Sequence, residues 1–462
     1  MKKRLIWAVA LILTGSAILT SCSSDDIVVN DNPQAMDTVD SVETDKAAPL
    51  TFSNMKEALE HIKEVEKITE IQDTNYKESY KIFFRQPIDH QNPSAGTFLQ
   101  QVIVKFKDFN AATVFYTCGY EIAMSTDDMA NFVGGNTIIV EHRYYGESLV
   151  KSDPEYKYLT IKQEADDLHA IATAMKTSLK GKWISTGLSK NGCTAIEYRY
   201  YHPEDVDGTV AFCAPILTSL SDPRPMSYML RECGTPEVNA MMNKMIVKLL
   251  TGGEQGFYKK YLEYIGDEEE ITFTQYCSGV FNLYFNTFMC GSPDNWSTIL
   301  PDTTTPDNKL CEKLDEAVLI SPTEENIDDV RIYSYYIQQA KELGTEGIVT
   351  DETRDLLKGT SCTAESYSEM HLMPKDRWLI KTYDNTVEKK ILDEFLPTTT
   401  SKMLLVYSKN DPWTGAAPKG LNNPNVQVLI SPVGCHEESL SKSNNLYHEP
   451  TVNAIKAFID GL

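Results

Sequence analysis

A serine at a predicted strand-to-helix turn has the setting of a nucleophile for acyl transfer. The run Gly187-Leu188-Ser189-Lys190-Asn191-Gly192 lies between a predicted strand, 182–186, and a predicted helix, about 192–201. Such a turn, called a nucleophile elbow, lifts the hydroxyl above a sheet, and the helix N-terminus offers N–H groups to an oxyanion. The glycine that usually comes two residues after the serine is here Asn191, and asparagine tolerates a left-handed backbone. We therefore expect the turn to form, although Gly-x-Ser by itself also describes an ordinary turn serine.

The base and the acid that such a hydroxyl needs follow two later strands. Asp411 comes just after a predicted strand at 402–407, and His436 comes just after another at 426–430. Since the carboxyl ends of parallel strands lie along one edge of an open sheet, Ser189, Asp411 and His436 should meet there. The order predicts Ser189 as nucleophile, His436 as base and then acid, and Asp411 as the group that orients the imidazole. We expect neither a metal nor a cofactor.

The predicted elements that carry these residues alternate between strand and helix. Alternation before residue 216 and again after residue 395 predicts an α/β fold with a mostly parallel sheet and helices on both faces. The residues between, 216–395, are mainly helical, with apolar residues at helical spacing. We interpret the chain as one α/β core interrupted by a large helical cap. The predicted strands are 97–106, 112–117, 136–141, 182–186, 210–213, 402–407 and 426–430, and the predicted core helices are 125–132, 161–179, 192–201 and 451–462.

Several longer motifs occur along the chain in a recognisable order. They are Gln86-Pro87-Ile88-Asp89-His90, Gly119-Tyr120-Glu121, Glu141-His142-Arg143-Tyr144-Tyr145-Gly146-Glu147-Ser148, the segment 159–168, the Ser189 elbow, Asn410-Asp411-Pro412-Trp413 and the turn at 434–436. With them the sequence resembles the bacterial prolyl tri- and tetrapeptidyl aminopeptidases, serine exopeptidases related to lysosomal prolyl carboxypeptidase and dipeptidyl peptidase. The resemblance implies an α/β-hydrolase core with a helical cap. It also implies release of short peptides from free N-termini, with cleavage after proline left open. Asn191, where the family has glycine, departs from the pattern.

The resemblance also indicates where the remaining site groups lie. The backbone N–H of Lys190 and a donor from the loop at Tyr120 would form the oxyanion hole. An exopeptidase must bind a charged α-amino group, and a carboxylate in low-dielectric surroundings does this well. Glu121, beside that loop, and Glu342, in the predicted cap, are our candidates, and the alternative for each is a solvated or ion-paired glutamate. We interpret Glu141-His142-Arg143 as structural, with a buried arginine that pairs a glutamate.

The N-terminus has the features of an export address. Residues 1–22 have a basic start, an apolar stretch too short to span a bilayer comfortably, and the end Leu19-Thr20-Ser21-Cys22, which resembles a bacterial lipobox. We expect an exported bacterial lipoprotein whose Cys22 is lipidated and holds it on the outer membrane, at the periplasmic or the surface face. A plain signal peptide is the alternative. Residues 23–48, rich in Asp, Ser and Thr, are predicted to be a disordered acidic tether.

Charge and length limit the partners and the domain organisation. The chain of 462 residues has a formal net charge of −23, which repels phosphate backbones and argues against nucleic acid. We expect peptide substrates and contact with a membrane through the lipid anchor, and the sequence leaves the oligomeric state open. The predicted segments are the signal 1–22, the tether 23–48, the core 49–215, the cap 216–395 and the rest of the core 396–462. Two alternatives remain: a serine esterase on the same fold, and a peptide-binding surface lipoprotein with a decayed site, for which Asn191 is the motive.

Overall fold

A mixed sheet runs through the core of the protein. The computed structural model describes residues 51–122, 128–266, 270–290, 296–324, 332–436, 440–442, 444 and 447–462. Within these residues the strands are β1 (Val65–Glu70), β2 (Glu78–Pro87), β3 (Thr97–Phe106), β4 (Thr113–Thr117), β5 (Asn136–Val140), β6 (Trp183–Leu188), β7 (Gly208–Phe212), β8 (Ser221–Asp222), β9 (Thr345–Glu346), β10 (Lys402–Ser408) and β11 (Val426–Ser431). The large sheet has the order β1-β2-β3-β5-β4-β6-β7-β10-β11, and β8 pairs with β9 apart from it.

The sheet is antiparallel at one end and parallel at the other. Strands β1, β2, β3 and β5 pair antiparallel, and the pairs from β5 through β4, β6, β7 and β10 to β11 are parallel. Every residue of β4, β5 and β7 is buried, as expected of parallel strands covered on both faces. The predicted α/β fold with a mostly parallel sheet is confirmed, whereas β1 and β2 were not predicted.

Helices cover the sheet and fill the segment between β7 and β10. They are α1 (Met55–Glu60), α2 (Asp128–Val133), α3 (Ile161–Met175), α4 (Lys190–Tyr201), α5 (Arg224–Glu232), α6 (Pro236–Leu250), α7 (Phe257–Ile265), α8 (Phe273–Cys290), α9 (Trp296–Ile299), α10 (Asp307–Ala317), α11 (Tyr333–Gln338), α12 (Arg354–Leu357), α13 (Ala364–Glu369), α14 (Thr386–Lys390), α15 (Leu396–Thr398) and α16 (Glu449–Asp460). The predicted helix at 125–132 lies partly outside the described residues, and α2 covers its second half. The predicted domain boundaries stay predictions.

The helical segment between β7 and β10 packs against the loops that follow β10 and β11. One buried apolar cluster joins cap helices α5, α6, α8 and α10 to Trp413 and Cys435. The ring of Trp413 meets that of Phe285 on α8 edge to face, with centroids 5.2 Å apart. The N–H of His436 donates to the carbonyl of Met289 at 3.1 Å. The cap therefore helps to hold both loops that bear the predicted acid and base.

The predicted signal 1–22, its Cys22 and the tether 23–48 lie outside the described residues. Among the helices that are described, none combines the length and the apolar character needed to cross a membrane. The eight cysteines whose side chains are described are buried and form no disulfide with one another.

Candidate active site

Ser189 lies at a sharp turn between β6 and α4. Its backbone torsions are φ 60° and ψ −129°, and a positive φ is unfavourable for a residue with a side chain. The N–H of Ser189 donates to the carbonyl of Phe212 at 2.9 Å, and its carbonyl accepts from the N–H of Cys193 at 3.0 Å. These bonds tie the strained residue to β7 and to the first turn of α4. The turn predicted at Ser189 is present.

Two glycines let β6 and α4 approach closely around this turn. A Cβ on Gly187 would lie 2.2 Å from the carbonyl oxygen of Asn191. A Cβ on Gly192 would lie 2.9 Å from the Cβ of Ala214. Since real Cβ atoms do not come this close to such neighbours, both positions require glycine.

Asn191 does not have the backbone role predicted for it. Ser189 carries the positive φ of this turn, and Asn191 lies in the first turn of α4. The expectation was wrong because the helix begins at Lys190 rather than at about residue 192. The Asn191 side chain instead accepts a hydrogen bond from the N–H of Gly119, with 2.6 Å between N and Oδ1. Its carbonyl accepts from the hydroxyl of Thr117 at 3.1 Å.

His436 and Asp411 form a buried hydrogen-bonded pair. The imidazole Nδ1 lies 2.9 Å from Asp411 Oδ2, and the two residues are 1% and 0% exposed. The other carboxylate oxygen of Asp411 accepts the N–H of Trp413 at 3.0 Å and caps a short 3₁₀ helix, Pro412–Ala416. Because Asp411 takes Nδ1, the ring presents Nε2 as its second proton-transfer atom.

The ends of neighbouring strands bring the loops of Ser189, Asp411 and His436 to one edge of the sheet. Ser189 bonds Phe212, the last residue of β7. The next residue, Cys213, donates its N–H to the carbonyl of Val406 on β10 at 2.7 Å. The Cys213 sulfur and one ligand atom each of Asp411 and His436 lie within 4.8 Å of one another. The three predicted residues therefore follow β6, β10 and β11 at the same edge, and their catalytic roles stay a prediction.

The loop after β4 packs on the start of α4. Besides the bond to Asn191, the carbonyl of Gly119 accepts from Lys190 Nζ at 2.6 Å. The Lys190 ammonium also lies over the rings of Tyr120 and Tyr145, at 5.3 and 5.6 Å from their centroids. Burial lowers the pKa of Lys190 to about 8, even though the charges of Glu197 and other acids oppose that shift. The structure thus brings Lys190 and the Tyr120 loop together, as predicted.

Arg143 anchors a buried network beside the sheet. It bonds both carboxylate oxygens of Asp167, at 2.7 and 2.8 Å, and donates to the carbonyl of Ile88 at 3.0 Å. Burial disfavours the guanidinium charge, but the Asp167 carboxylate more than offsets this and the pKa of Arg143 is raised. Glu141 instead accepts from the hydroxyl of Ser148 at 2.8 Å. The arginine is structural as predicted, but its partner is an aspartate.

Glu342 of the cap contacts the start of a core helix. One of its oxygens accepts the N–H of Ile161, the first residue of α3, at 2.8 Å. Burial raises the pKa of Glu342 to about 7. The charges of Glu197 and Glu388 interact with it, and burial also raises the pKa of each of these two carboxyls. The structure therefore gives Glu342 a helix-capping partner that the sequence did not reveal.

Glu121 and Glu346 are two half-buried carboxylates that could bind a substrate ammonium. Glu121 follows Tyr120 directly in the chain, and its role in binding a substrate amino group stays a prediction. Glu346, on β9, accepts hydrogen bonds from the hydroxyls of Tyr367 at 2.8 Å and Thr345 at 2.7 Å.

Tyr335 packs on the Tyr120 loop and interacts electrostatically with Glu346. Burial, the Tyr120 charge and the Glu346 charge raise the pKa of Tyr335. The ring of Tyr335 packs against that of Tyr120 with centroids 5.4 Å apart. Sequence reasoning missed Glu346, since its interactions with Tyr335 and Tyr367 arise only when the cap folds.

A second group of potential metal ligands lies away from Ser189. One ligand atom each of His169, His202 and Asp205 come within 4.8 Å of one another. His169 Nδ1 is 2.7 Å from an Asp205 oxygen, and the two imidazole rings stack at 4.2 Å. These side chains already bond within the protein, and the expectation that no metal takes part stays a prediction.

The site residues lie in a stretch that matches a known family, PS-10 peptidase S37, over residues 48–440. The chain belongs to this family. It is similar to the prolyl tri/tetrapeptidyl aminopeptidase of Streptomyces mobaraensis, at 26% identity over 344 residues, 72% of this chain and 69% of that protein. It is also similar to the lysosomal Pro-X carboxypeptidase of Homo sapiens, at 29% identity over 156 residues, 29% of this chain and 32% of that protein. Among solved structures, the proline iminopeptidase of Mycobacterium smegmatis covers 82% of this chain and 98% of its own, with a TM-score of 0.36 and 13% identity.

Membership in the S37 family confirms two predictions from the sequence. The resemblance to prolyl tri- and tetrapeptidyl aminopeptidases is confirmed, and this S37 protein is a serine-type peptidase. The matched residues 48–440 include Ser189, Asp411 and His436.

Proposed function

We propose that this S37 peptidase releases tri- or tetrapeptides from the free N-termini of peptide substrates, with Ser189 as the nucleophile. The observation that carries the proposal is the buried bond between His436 and Asp411 at the sheet edge where the Ser189 turn ends. Similarity to a prolyl tri/tetrapeptidyl aminopeptidase over 69% of that protein supports the length of the released peptide and a preference for cleavage after proline.

Ser189, His436 and Asp411 have separate roles in the proposed reaction. Ser189 Oγ attacks the carbonyl carbon of the scissile bond while His436 Nε2 accepts the hydroxyl proton. Asp411 stabilises the imidazolium, and the N–H groups of Lys190 and Tyr120 donate to the oxyanion. When the C–N bond breaks, His436 gives its proton to the leaving amine. A water then attacks the acyl-enzyme ester, again with His436 as base, and Ser189 is restored.

Counting residues from a free N-terminus requires a carboxylate at a fixed distance from Ser189. Glu342 already accepts the N–H of Ile161, and Glu121 borders the Tyr120 loop. Glu346 is half-buried next to aromatic rings, a setting that suits an ammonium group. We place the substrate α-ammonium at Glu346 or Glu121, because burial raises the pKa of Glu342 to about 7 and disfavours the carboxylate form that an ammonium group needs.

The two alternatives differ from this proposal in testable ways. A serine esterase would use the same groups, since the triad does not choose between ester and amide. Acidic groups beside the Tyr120 loop favour substrates with a free amino group. The decayed-site alternative rested on Asn191, whose side chain bonds Gly119 in an ordered turn. We also propose that Cys22 carries lipid and that the mature protein resides at the outer membrane.

A fluorophosphonate probe tests the catalytic assignment. The probe should label wild-type protein at Ser189, and Ser189→Ala should lose both labelling and hydrolysis, the latter by several orders of magnitude. Ser227→Ala, which removes a hydroxyl bonded to Glu352 in the cap, is the matched control and should still be labelled. Labelling that persists in folded Ser189→Ala would refute the assignment.

A further inference from the structure

Gly119 is held by two consecutive side chains of the elbow. Asn191 Oδ1 accepts its N–H and Lys190 Nζ donates to its carbonyl, each at 2.6 Å. Both side chains are buried, with 9% of Asn191 and 4% of Lys190 exposed. The N–H and the carbonyl of Gly119 belong to two successive peptide planes. Because hydrogen bonds are stronger in the low dielectric of the interior, these two bonds restrict the orientation of both planes.

One of these planes contains the backbone donor expected in the oxyanion hole. The carbonyl of Gly119 and the N–H of Tyr120 belong to the same peptide, which is trans and therefore points them in opposite directions. The bond from Lys190 to that carbonyl consequently aims the Tyr120 N–H away from the lysine. The carbonyl of Tyr120 is held in turn by the N–H of His142 at 3.1 Å.

Close packing restricts the loop further. A Cβ on Gly119 would lie 2.7 Å from the Cγ of Lys190 and 2.9 Å from its carbonyl carbon, so the two residues are in direct contact. On its other side, the lysine ammonium is covered by the rings of Tyr120 and Tyr145. The Tyr120 loop and the start of α4 therefore form one packed unit.

We propose that Lys190 and Asn191 are positioning residues whose side chains set the geometry of the oxyanion hole through Gly119. Asn191 is then a functional feature of this chain and not a mark of decay. Neither side chain needs to touch the substrate, since each acts through the peptide that bears the Tyr120 N–H. The inference rests on the proposed function, because an oxyanion hole is used only if Ser189 is acylated.

Steady-state kinetics and a transition-state analogue test the proposal together. Asn191→Ala and Lys190→Met should each lower kcat by about 10- to 100-fold while KM changes by less than about threefold, because misplaced donors affect the transition state most. A peptide boronate, which forms a tetrahedral adduct on serine, should lose affinity by the same factor as kcat/KM. The double variant should lose less than the product of the single losses, since both side chains hold the same loop.

A half-buried asparagine of the cap supplies the control. Asn243 on α6 donates to the carbonyls of Leu230 and Asn239, each at 2.9 Å, and Asn243→Ala should lower stability without changing kcat or boronate affinity. Wild-type kcat in Asn191→Ala and Lys190→Met, or losses that Asn243→Ala reproduces at equal stability, would overturn the positioning role. If one variant fails to fold, the other decides. Wild-type protein that neither hydrolyses peptides nor reacts with fluorophosphonate would overturn the proposed function and this inference together.

Discussion

Ser189 keeps its backbone in a conformation that most residues avoid. Its φ of 60° costs on the order of 1–3 kcal/mol, which the surrounding bonds must outweigh. Those bonds come from Phe212 on β7 and Cys193 on α4, so two elements hold the residue from opposite sides. This strain falls on the residue whose hydroxyl is expected to project above the sheet.

The carboxylate that binds the substrate amino group can be identified by substitution. Glu346→Gln should slow hydrolysis of an unblocked tripeptide amide by about 10- to 100-fold, since a charge-assisted contact contributes about 1.5–3 kcal/mol. It should leave hydrolysis of a simple ester without an amino group nearly unchanged. Glu121→Gln, measured on both substrates, is the competing variant.

A matched acidic control separates recognition from general loss of charge. Glu352 lies in the same cap and pairs with Arg231, so Glu352→Gln should affect neither substrate strongly. A loss for the tripeptide amide in Glu121→Gln but not in Glu346→Gln would move the ammonium site to Glu121. Equal loss for the amide and the ester in Glu346→Gln would indicate damage to the triad instead.

Chain order was enough to predict some site residues and not others. Ser189, Asp411 and His436 each follow a strand, and strand ends share an edge, so their convergence follows from sequence. The bond from Asn191 to Gly119 joins positions 72 residues apart, and no local pattern marks it. Glu346 gives no signal either, because its neighbours Tyr335 and Tyr367 come from separate cap helices.

At the scale of elements, the start of α3 is a junction between core and cap. Thr160 caps the helix by accepting the N–H of Gln163, while Glu342 of the cap accepts the N–H of Ile161. A carboxylate at a helix N-terminus is favourable because the helix dipole is positive there. Lys341 donates to the carbonyls of Tyr156 and Leu159, at 2.6 and 2.8 Å, in the loop before α3. Lys341 and Glu342 therefore stabilise the contact between the cap and the core.

This junction predicts a pH dependence of stability. Burial raises the pKa of Glu342 from 4.5 to about 7, so between these pH values the folded state holds a proton that the unfolded state has released. Its contribution to stability is then fully present below about pH 4.5 and is lost as the pH rises through about 7. The free energy of unfolding should therefore fall between pH 5 and pH 8, as measured by urea unfolding. Glu342→Gln should remove up to about 3 kcal/mol of this fall.

An exposed glutamate provides the reference for that measurement. Glu60 on α1 lies 3.9 Å from Lys56, and both side chains are 58% exposed. Glu60→Gln should therefore leave the pH dependence of the free energy of unfolding unchanged. Burial also raises the pKa values of Glu197 and Glu388, so these carboxyls lower the free energy of unfolding in the same direction as the pH rises. Glu342→Gln and Glu60→Gln both retain this contribution. An unchanged pH dependence in Glu342→Gln would show that its carboxyl is not buried as described.

Sequence patterns predicted the strands of the large sheet except β1 and β2, and they predicted the antiparallel β3 with its observed bounds. Strands β4, β5 and β7 are short apolar runs, since both of their faces are covered. Strand β1, Val-Glu-Lys-Ile-Thr-Glu, is polar because it lies at the sheet edge, and its pairing with β2 is a tertiary contact that composition does not encode. The start of α4 was placed two residues late because its N-cap is the strained Ser189 itself.

At the scale of the whole molecule, the proposed attachment to a membrane depends on the N-terminus. A net charge of −23 makes the protein surface a poor docking site for anionic lipids, so a lipid on Cys22 would have to supply the attachment. Wild-type protein expressed in a bacterium with a lipoprotein pathway should partition with membranes. Cys22→Ala should be soluble or keep its signal. Wild-type protein that mass spectrometry finds soluble and without acyl chains would contradict the anchor.

The central claim is that this S37 peptidase counts residues from a free N-terminus, and one measurement addresses it directly. Wild-type protein and Ser189→Ala are incubated with a proline-containing peptide in its free and its N-acetylated form, and the products are identified by mass spectrometry. The wild type should release a tri- or tetrapeptide from the free form only, and Ser189→Ala should give no product. Equal cleavage of the free and acetylated peptides by the wild type would contradict the account and point to an endopeptidase.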